Sequence, residues 1–171
     1  MTGEEQEECI FRLRAKLYRL RDDQWKERGT GNAKLLRNKA TKKIRFVMRQ
    51  EKTLKPVANF FLQESPLCEL GLMKNTDKAF LWSCNDCSEE LPRLEKLCAR
   101  FQNAENTALF KAAFEAARLF NSHVREDKPD SELIFAPVVD DPTELVEDDP
   151  DKNTTADAEG GAGAEDDGED A

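Results

Sequence analysis

The segment Trp25-Lys26-Glu27-Arg28-Gly29-Thr30-Gly31 (residues 25–31) joins an aromatic residue and three charges to two glycines around a threonine. Glycine adopts backbone angles that are closed to other residues. The segment therefore predicts a short strand over 25–28 and a turn over 29–32. Stretches in which apolar and basic residues alternate lie on both sides of it, at 9–21, 33–39 and 43–50. Strict alternation is typical of half-buried strands, so residues 25–31 lie within a predicted sheet.

The first of these stretches has one purely cationic outer face. Its apolar set and its basic set alternate: Phe11, Leu13, Ala15 and Leu17 against Arg12, Arg14 and Lys16. The parity changes near Tyr18, because Leu20 is apolar as well, and this change predicts a bulge or a bend. Residues 22–24 predict the turn that follows.

More short strands follow at 55–62, 67–72, 79–84 and 94–101, with a polar loop over 83–90. Pro56 puts the start of the first at an edge or just outside the ladder. Strands about ten residues apart without intervening helices favour an antiparallel sandwich or barrel.

The period changes after residue 101. Asn103 is a suitable N-cap, and an apolar stripe at helical spacing predicts one helix to about residue 124. The stripe consists of Phe110, Ala113, Phe114, Ala117, Phe120 and Val124. A single amphipathic helix after about seven strands must bury its phenylalanines on the sheet. The predicted fold is mainly β with one C-terminal helix, a pleckstrin-homology-like antiparallel β-barrel or sandwich that the helix caps.

The net charge of −9 hides a strong asymmetry. Residues 126–171 hold 18 acidic and 2 basic residues, whereas residues 9–60 hold 16 basic and 4 acidic ones. Low complexity and four prolines predict that this acidic tail is disordered. The sequence thus predicts an acidic N-terminal arm at 1–8, mobile when free and too polar to be buried, a basic domain at 9–125 and an acidic disordered tail at 126–171.

The sequence contains little that could support catalysis or metal binding. His123 is the only histidine, so no Ser/His/Asp or Cys/His set can form. The glycines at 29 and 31 lack phosphate-loop spacing, and Cys84 and Cys87 form a lone Cys-x2-Cys pair. We therefore expect no catalytic residue, metal or cofactor.

An odd number of cysteines, with no signal peptide and no apolar run of membrane length, predicts reduced thiols. The expected location is the cytosol or the nucleus.

Several motifs in order resemble the Ran-binding domain family over roughly residues 5–125. They are residues 8–19, the segment 25–31, residues 33–36, Ile44-Arg45, Met48-Arg49, residues 52–55, Ala58-Asn59, Trp82, Arg100-Phe101, residues 103–106 and Phe110-Lys111. The layout of one domain with a short acidic lead and an acidic tail is similar to the small single-domain members of the family.

The resemblance implies a partner and a role. The partner is the small GTPase Ran in its GTP form, and the domain itself has no catalytic activity. It assists the Ran GTPase-activating protein and helps to release Ran·GTP from importin and exportin transport receptors. Ran's acidic C-terminal tail lies on the basic surface of the domain, and the acidic arm of the domain reaches back onto Ran. We expect a monomer that binds no nucleic acid and has no stable membrane association.

Carried over by motif, the expected Ran-binding residues are Trp25, Lys26, Glu27, Arg28, Gly29, Thr30, Gly31, Lys34, Arg37, Arg45, Arg49, Lys55 and Asn59. The expected arm contacts are Glu4, Glu5, Glu7 and Glu8. Arginines can pair with the carboxylates of an acidic peptide through two hydrogen bonds. The chain departs from the family at Gln50, where relatives commonly carry arginine, and at Phe60, where they carry histidine.

Four alternatives stay open at this point. The basic surface also fits a phosphoinositide-binding membrane module, which the acidic tail would oppose, and nucleic acid, for which no stacking platform is evident. Trp25 is either a core residue or a contact. The apolar groups in 131–146 are either in contact with the domain or part of an export signal. The acidic tail is free or shields the basic surface.

Overall fold

The computed structural model describes residues 4–133 and 139–140. Its elements are β1 (Glu7–Arg21), β2 (Gln24–Asn38), β3 (Ile44–Arg49), β4 (Pro56–Phe61), β5 (Gly71–Leu72), β6 (Ala79–Asp86), β7 (Arg93–Arg100), α1 (Ala104–Arg125), a 3-10 turn (Asp130–Glu132) and β8 (Val139–Asp140). The sheet order is β4-β3-β2-β1-β7-β6-β5, antiparallel throughout, and β8 pairs in parallel with β1. The sheet curls until the amide of Cys87 donates to the carbonyl of Asn59 at 2.7 Å.

The long β1–β2 hairpin forms the centre of the sheet. Asp22 and Asp23 have φ angles of 54° and 62°, as in the two-residue turns that match the twist of a hairpin. The predicted bulge near Tyr18 is confirmed. Leu17 pairs with Gly29 and Tyr18 with Glu27, which leaves Arg28 as the extra residue.

The predicted turn at 29–32 is wrong, because β2 runs without interruption through both glycines. The residues opposite them, Ala15 and Leu17, point into the core, so any side chain at 31 or 29 would point inward too. A Cβ on Gly31 would lie 2.1 Å from the carbonyl oxygen of Arg49. The glycines therefore let the chain that leaves β3 pass close over the inner side of β2.

Other boundaries differ modestly from the predictions. The strand predicted at 67–72 shrinks to Gly71–Leu72, since Cys68 has a φ of 57° and its amide donates to the carbonyl of Ser83. Strand β6 continues to Asp86, two residues past the predicted strand end at 84 and four residues into the predicted loop at 83–90. Strand β1 begins at Glu7, two residues before its predicted start.

The helix predicted after Asn103 is confirmed. The Asn103 side chain accepts a hydrogen bond from the amide of Asn106 at 2.7 Å, and α1 ends at Arg125. The predicted stripe of phenylalanines and alanines is buried, with Phe110, Phe114 and Phe120 at the centre of the core. The mainly β architecture with a single long helix is therefore confirmed.

One polar side chain fixes α1 to the sheet. Asn121 Oδ1 accepts a hydrogen bond from the Ile44 amide at 2.8 Å. Its Nδ2 donates to the carbonyls of Ile44 and Leu62 at 2.7 and 3.0 Å. The side chain thus bonds three backbone groups at the ends of β3 and β4, one of which, the Ile44 carbonyl, also accepts a longer bond of 3.4 Å from the Leu62 amide.

The first residues after α1 remain on the domain. Leu133 packs against the core, and the backbone of Val139–Asp140 pairs with Phe11–Arg12 of β1. These contacts agree with the alternative in which the apolar groups of 131–146 touch the domain. Most of that region, and the tail from 141 onward, lies outside the described residues.

Candidate partner-binding surface

Three cations lie together on the outer face of β2 and β3. Ala33 and Leu35 point into the core, so Lys34 between them points outward. In β3, alternation sends Arg45 and Arg49 outward in the same way. We call Lys34, Arg45 and Arg49, with Asn59 of the neighbouring β4, the basic face. Four of the predicted site residues therefore converge on one surface.

The acidic N-terminal residues occupy this basic face. One Glu4 carboxylate bridges Lys34 Nζ at 2.9 Å and Arg49 Nε at 3.0 Å. Glu7 accepts two hydrogen bonds from Arg45, at 2.7 and 2.8 Å. The Glu7 side chain is only 7% exposed, so the expectation that residues 1–8 are too polar to be buried is wrong at this position.

Ion pairs on the basic face shift the pKa values of Glu4 and Arg45. Burial works to raise the pKa of Glu4, but the hydrogen bonds from Lys34 and Arg49 outweigh it and hold that pKa below its usual range. The hydrogen bonds to Glu7 raise the pKa of Arg45. The basic face is thus built to hold ionised carboxylates.

Asn59 supports Arg45 from the side. Its Oδ1 accepts from Arg45 Nη1 at 3.0 Å, and its backbone amide donates to the buried carboxylate of Asp86 at 2.8 Å. The predicted bond from the Asn59 side chain to a partner backbone competes with this internal bond. Asn59 therefore orients the arginine in the chain as described.

Arg37 does not join the basic face. It lies opposite Ile44, a core residue, and its guanidinium sits 5.5 Å from the centre of the Phe120 ring on α1. Its charge pairs with Glu8 at 3.1 Å. Arg37 shares the inward parity of Leu35 and therefore lies apart from Arg45 and Arg49, and its role in binding Ran stays a prediction.

Residues 25–28 lie at the other end of the hairpin. Trp25 is half-buried beside the turn at Asp22–Asp23 and lies outside the core cluster, so the alternative that made it a core residue is wrong. Lys26 and Glu27 are exposed. Nine residues of extended chain separate Trp25 from Lys34, about 30 Å. The predicted site therefore falls into two separate regions.

Arg28, in the bulge, is held by the β6–β7 loop. Its Nη2 donates to Glu89 at 2.9 Å and lies 3.4 Å from the hydroxyl of Ser88. Arg19 reaches the same Glu89 carboxylate at 3.4 Å. Part of the positive charge at this end is thus neutralised within the domain.

The glycine–threonine–glycine segment has a structural task between these regions. The Thr30 carbonyl accepts from the amide of Glu51 at 2.9 Å, where the chain crosses over Gly29 and Gly31. No loop forms here for a partner to enter. Lys55, the last predicted cation, is exposed just before β4.

The sequence-based site omitted two cations of β1. Arg12 lies directly opposite Lys34, and Arg14 opposite Asn32, so the cationic row of β1 continues the basic face. Arg14 is tied to Glu51 by two hydrogen bonds of 2.6 and 2.9 Å, which lower the pKa of Glu51. Pairing the residues of β1 and β2 outward from the turn at 22–23 places these cations beside β2, and this step would have added them to the predicted site.

Both departures from the family have local roles. Gln50 Oε1 accepts from the amide of Lys52 at 2.8 Å and so closes the turn after β3. Phe60 is buried and stacks on Phe46 with 5.0 Å between ring centres. An apolar ring suits that place, which is inside the core.

Other chemistry is sparse in the described part of the chain. No group of three or more metal-ligating side chains occurs there. Cys84 is buried and Cys87 exposed, so the two thiols of the Cys-x2-Cys pair lie in different environments, and all five cysteines are free thiols. Within residues 4–133, no helix has the length and hydropathy of a membrane span.

Comparison with known proteins agrees with the geometry. The sequence profile described as the RanBP1 domain matches residues 1–119. A Ran-specific GTPase-activating protein homolog from Dictyostelium discoideum is 46% identical over 132 residues, which cover 73% of this chain and 67% of that protein. The human E3 SUMO-protein ligase RanBP2 is 46% identical over 119 residues, 68% of this chain but only 4% of that much longer protein.

A solved structure supports the fold. The Ran-binding domain of the nuclear complex component Nup2 from Ashbya gossypii superposes with a TM-score of 0.54 at 23% identity, over 66% of this chain and 96% of that one. The pleckstrin-homology-like fold predicted from the sequence is confirmed. With a family profile over most of the described residues and a relative matched along two thirds of its length, the chain belongs to the RanBP1 domain family.

Proposed function

We propose that this chain binds the small GTPase Ran in its GTP-bound form. The observation that carries the proposal is the basic face of a RanBP1-family domain, where Lys34, Arg45 and Arg49 already hold two carboxylates at 2.7–3.0 Å. Those are the distances of charge-assisted hydrogen bonds. The acidic C-terminal tail of Ran offers the same groups in an extended peptide.

The predicted site residues that lie outside the basic face would contact the body of Ran. Lys26 and Lys55 are exposed, and neither forms an ion pair within residues 4–133. Half-buried Trp25 offers apolar surface beside Lys26. Aromatic residues next to cations are typical of the residues that dominate protein interfaces.

The chain acts as an accessory factor and is not itself an enzyme. It assists GTP hydrolysis by Ran together with the Ran GTPase-activating protein, and it helps to release Ran·GTP from importin and exportin receptors in nucleocytoplasmic transport. It works as a monomer in the cytoplasm, with shuttling through the nucleus or binding at the nuclear pore. It needs no cofactor and binds neither nucleic acid nor membranes stably.

The phosphoinositide-binding alternative is not favoured. The named relatives are Ran-specific or Ran-binding proteins, and the Nup2 structure is a Ran-binding domain. Vesicles that contain phosphoinositide should therefore leave the chain in solution.

The deciding experiment is a titration against Ran loaded with GTP and with GDP. We expect at least about tenfold tighter binding to the GTP form, which corresponds to about 1.4 kcal/mol. Ran without its acidic tail should bind much more weakly, and added salt should weaken the full complex. Equal affinity for both nucleotide states, or binding to neither, would show that the proposal is wrong.

A further inference from the structure

The N-terminal segment behaves as a ligand of its own domain. Residues 4–7 lie across β3, with the Glu4 carboxylate on Arg49 and the Glu7 carboxylate on Arg45. Val47, between those arginines, points outward yet is only 2% exposed, and it lies outside the core cluster. A short acidic segment of the chain is thus already seated on the basic face.

The two glutamates are held differently. Glu7 is part of β1, paired with Asn38, and its side chain is nearly buried. Glu4 precedes the strand, and its carbonyl accepts from the Glu7 amide at 3.0 Å in a turn. The cations that hold Glu4, Lys34 and Arg49, are themselves 21% and 24% exposed. The Glu4 contact is therefore the exchangeable one, and the Glu7 contact belongs to the fold.

A second acidic peptide must compete with Glu4. Lys34 and Arg49 cannot keep their short contacts to Glu4 and make equally short ones to a new carboxylate in the same place. A tethered group has an effective concentration in the millimolar range, so a weak free ligand competes poorly with it. A ligand that is anchored elsewhere on the domain competes well.

We propose that Glu4 is an internal occupant of the acidic-peptide site, displaced when the acidic segment of the partner binds. The inference rests on the proposed function, because it takes the acidic tail of Ran as the incoming segment. The need to displace Glu4 has two results. Unrelated acidic peptides must be present at a higher concentration to bind, and binding of the true partner frees the N-terminal arm to reach that partner.

The test uses the full chain and a synthetic peptide with the sequence of Ran's acidic C-terminal tail. The peptide isolates the exchange step, since it lacks the surface of Ran that the arm is expected to contact. The variant Glu4→Gln removes the competing charge. It should bind the peptide about two- to five-fold more tightly than the parent chain at low salt, the gain expected from removing one carboxylate that pairs with two partly exposed cations.

The matched control is Glu115→Gln, which removes the same charge from the exposed side of α1, away from the basic face. It should leave peptide affinity unchanged. Equal tightening in both variants would mean a general charge effect and would overturn the proposal. So would unchanged or weaker peptide binding by Glu4→Gln, or no peptide binding by either chain.

The proposed function is judged separately, by the parent chain with intact Ran·GTP. If that complex forms and Glu4→Gln does not tighten the peptide, internal occupancy is wrong and Ran binding stands. If Ran·GTP does not bind but the peptide binds more tightly to Glu4→Gln, the occupant is real and the identity of the partner is wrong.

Discussion

Alternate residues of the short strand β3 form its two faces. The inner face is stabilised by apolar packing and the outer face by ion pairs. Ile44, Phe46 and Met48 face inward and pack on apolar neighbours from several elements. Arg45 and Arg49 face outward and are paired by two carboxylates of one N-terminal segment. Inward contacts are non-directional and shared among many residues, whereas the outward ones depend on groups that any acidic peptide can supply. Stability thus resides on one face, and recognition is possible on the other.

The largest expected effect comes from the inner face. Phe46 packs against Phe60, Trp82 and Phe110, with ring centres 5.0–6.3 Å apart. Replacing it in Phe46→Ala should lower the free energy of unfolding by about 3–5 kcal/mol, through lost burial and the cavity left behind. Urea unfolding followed by tryptophan fluorescence measures the change.

The control for that substitution is Lys55→Ala, an exposed cation of the predicted site. It should change stability by less than about 0.5 kcal/mol while weakening the complex with Ran·GTP. A loss below about 1 kcal/mol in Phe46→Ala would contradict the contrast between the faces, because it would be close to the loss expected at an exposed position.

An intermediate effect is expected where the chain crosses β2. Gly31→Ala places a methyl group against the backbone carbonyl of Arg49 and should cost about 1–3 kcal/mol, as overpacking does. In Gly29→Ala the nearest atom, 2.9 Å away, is Cγ of the flexible Gln50 side chain, so the loss should be smaller. Thermal unfolding of both variants decides the order, and equal losses would argue against a specific backbone clash at residue 31.

The smallest effect should appear on acidification, which titrates carboxylates and leaves the apolar side chains of the core unchanged. Arg21 donates two hydrogen bonds of 2.7 Å to Glu95, and they lower the pKa of Glu95 from its usual 4.5. A lowered pKa in the folded state stabilises the fold above pH 4.5, and that contribution is lost as the pH falls through the lowered value. Glu95→Gln keeps an oxygen that can accept from Arg21 but loses the charge that strengthens the bond, so it should cost about 1 kcal/mol at pH 7 and flatten the loss of stability below pH 4.5. If the free energy of unfolding falls with pH below 4.5 as steeply in Glu95→Gln as in the parent chain, other carboxylates cause the loss of stability in acid.

Patterns of neighbouring residues in the sequence predicted the core positions of the strands, the bulge in the first hairpin and the start of the helix. The alternation in residues 9–21 and 43–50 indicated which residues enter the core, the parity change at Tyr18 located the bulge, and Asn103 located the start of the helix. Arg37 could have been placed correctly as well, since it has the parity of Leu35.

Long-range contacts were beyond local patterns. The glycines at 29 and 31 indicate a turn in isolation, and only the approach of residues 49–51, far along the chain, makes them strand residues. The cations of the basic face and the glutamates of the N-terminal arm were both predicted as parts of the site, but the arm was expected to contact a partner. The glutamates pair with the cations of their own domain because β1 begins at Glu7, and sequence periodicity does not fix the first residue of a strand.

The hydrogen bonds of Asn121 make the length of α1 a requirement of the fold. Phe110 lies in the core and Asn121 at the ends of β3 and β4, about three helical turns further along. Inserting one residue between them would rotate Asn121 by about 100° relative to Phe110 and break its hydrogen bonds to the backbone of Ile44 and Leu62. Chains that keep this helix docking can vary the composition of its exposed side, but they cannot vary the number of residues between these two anchors.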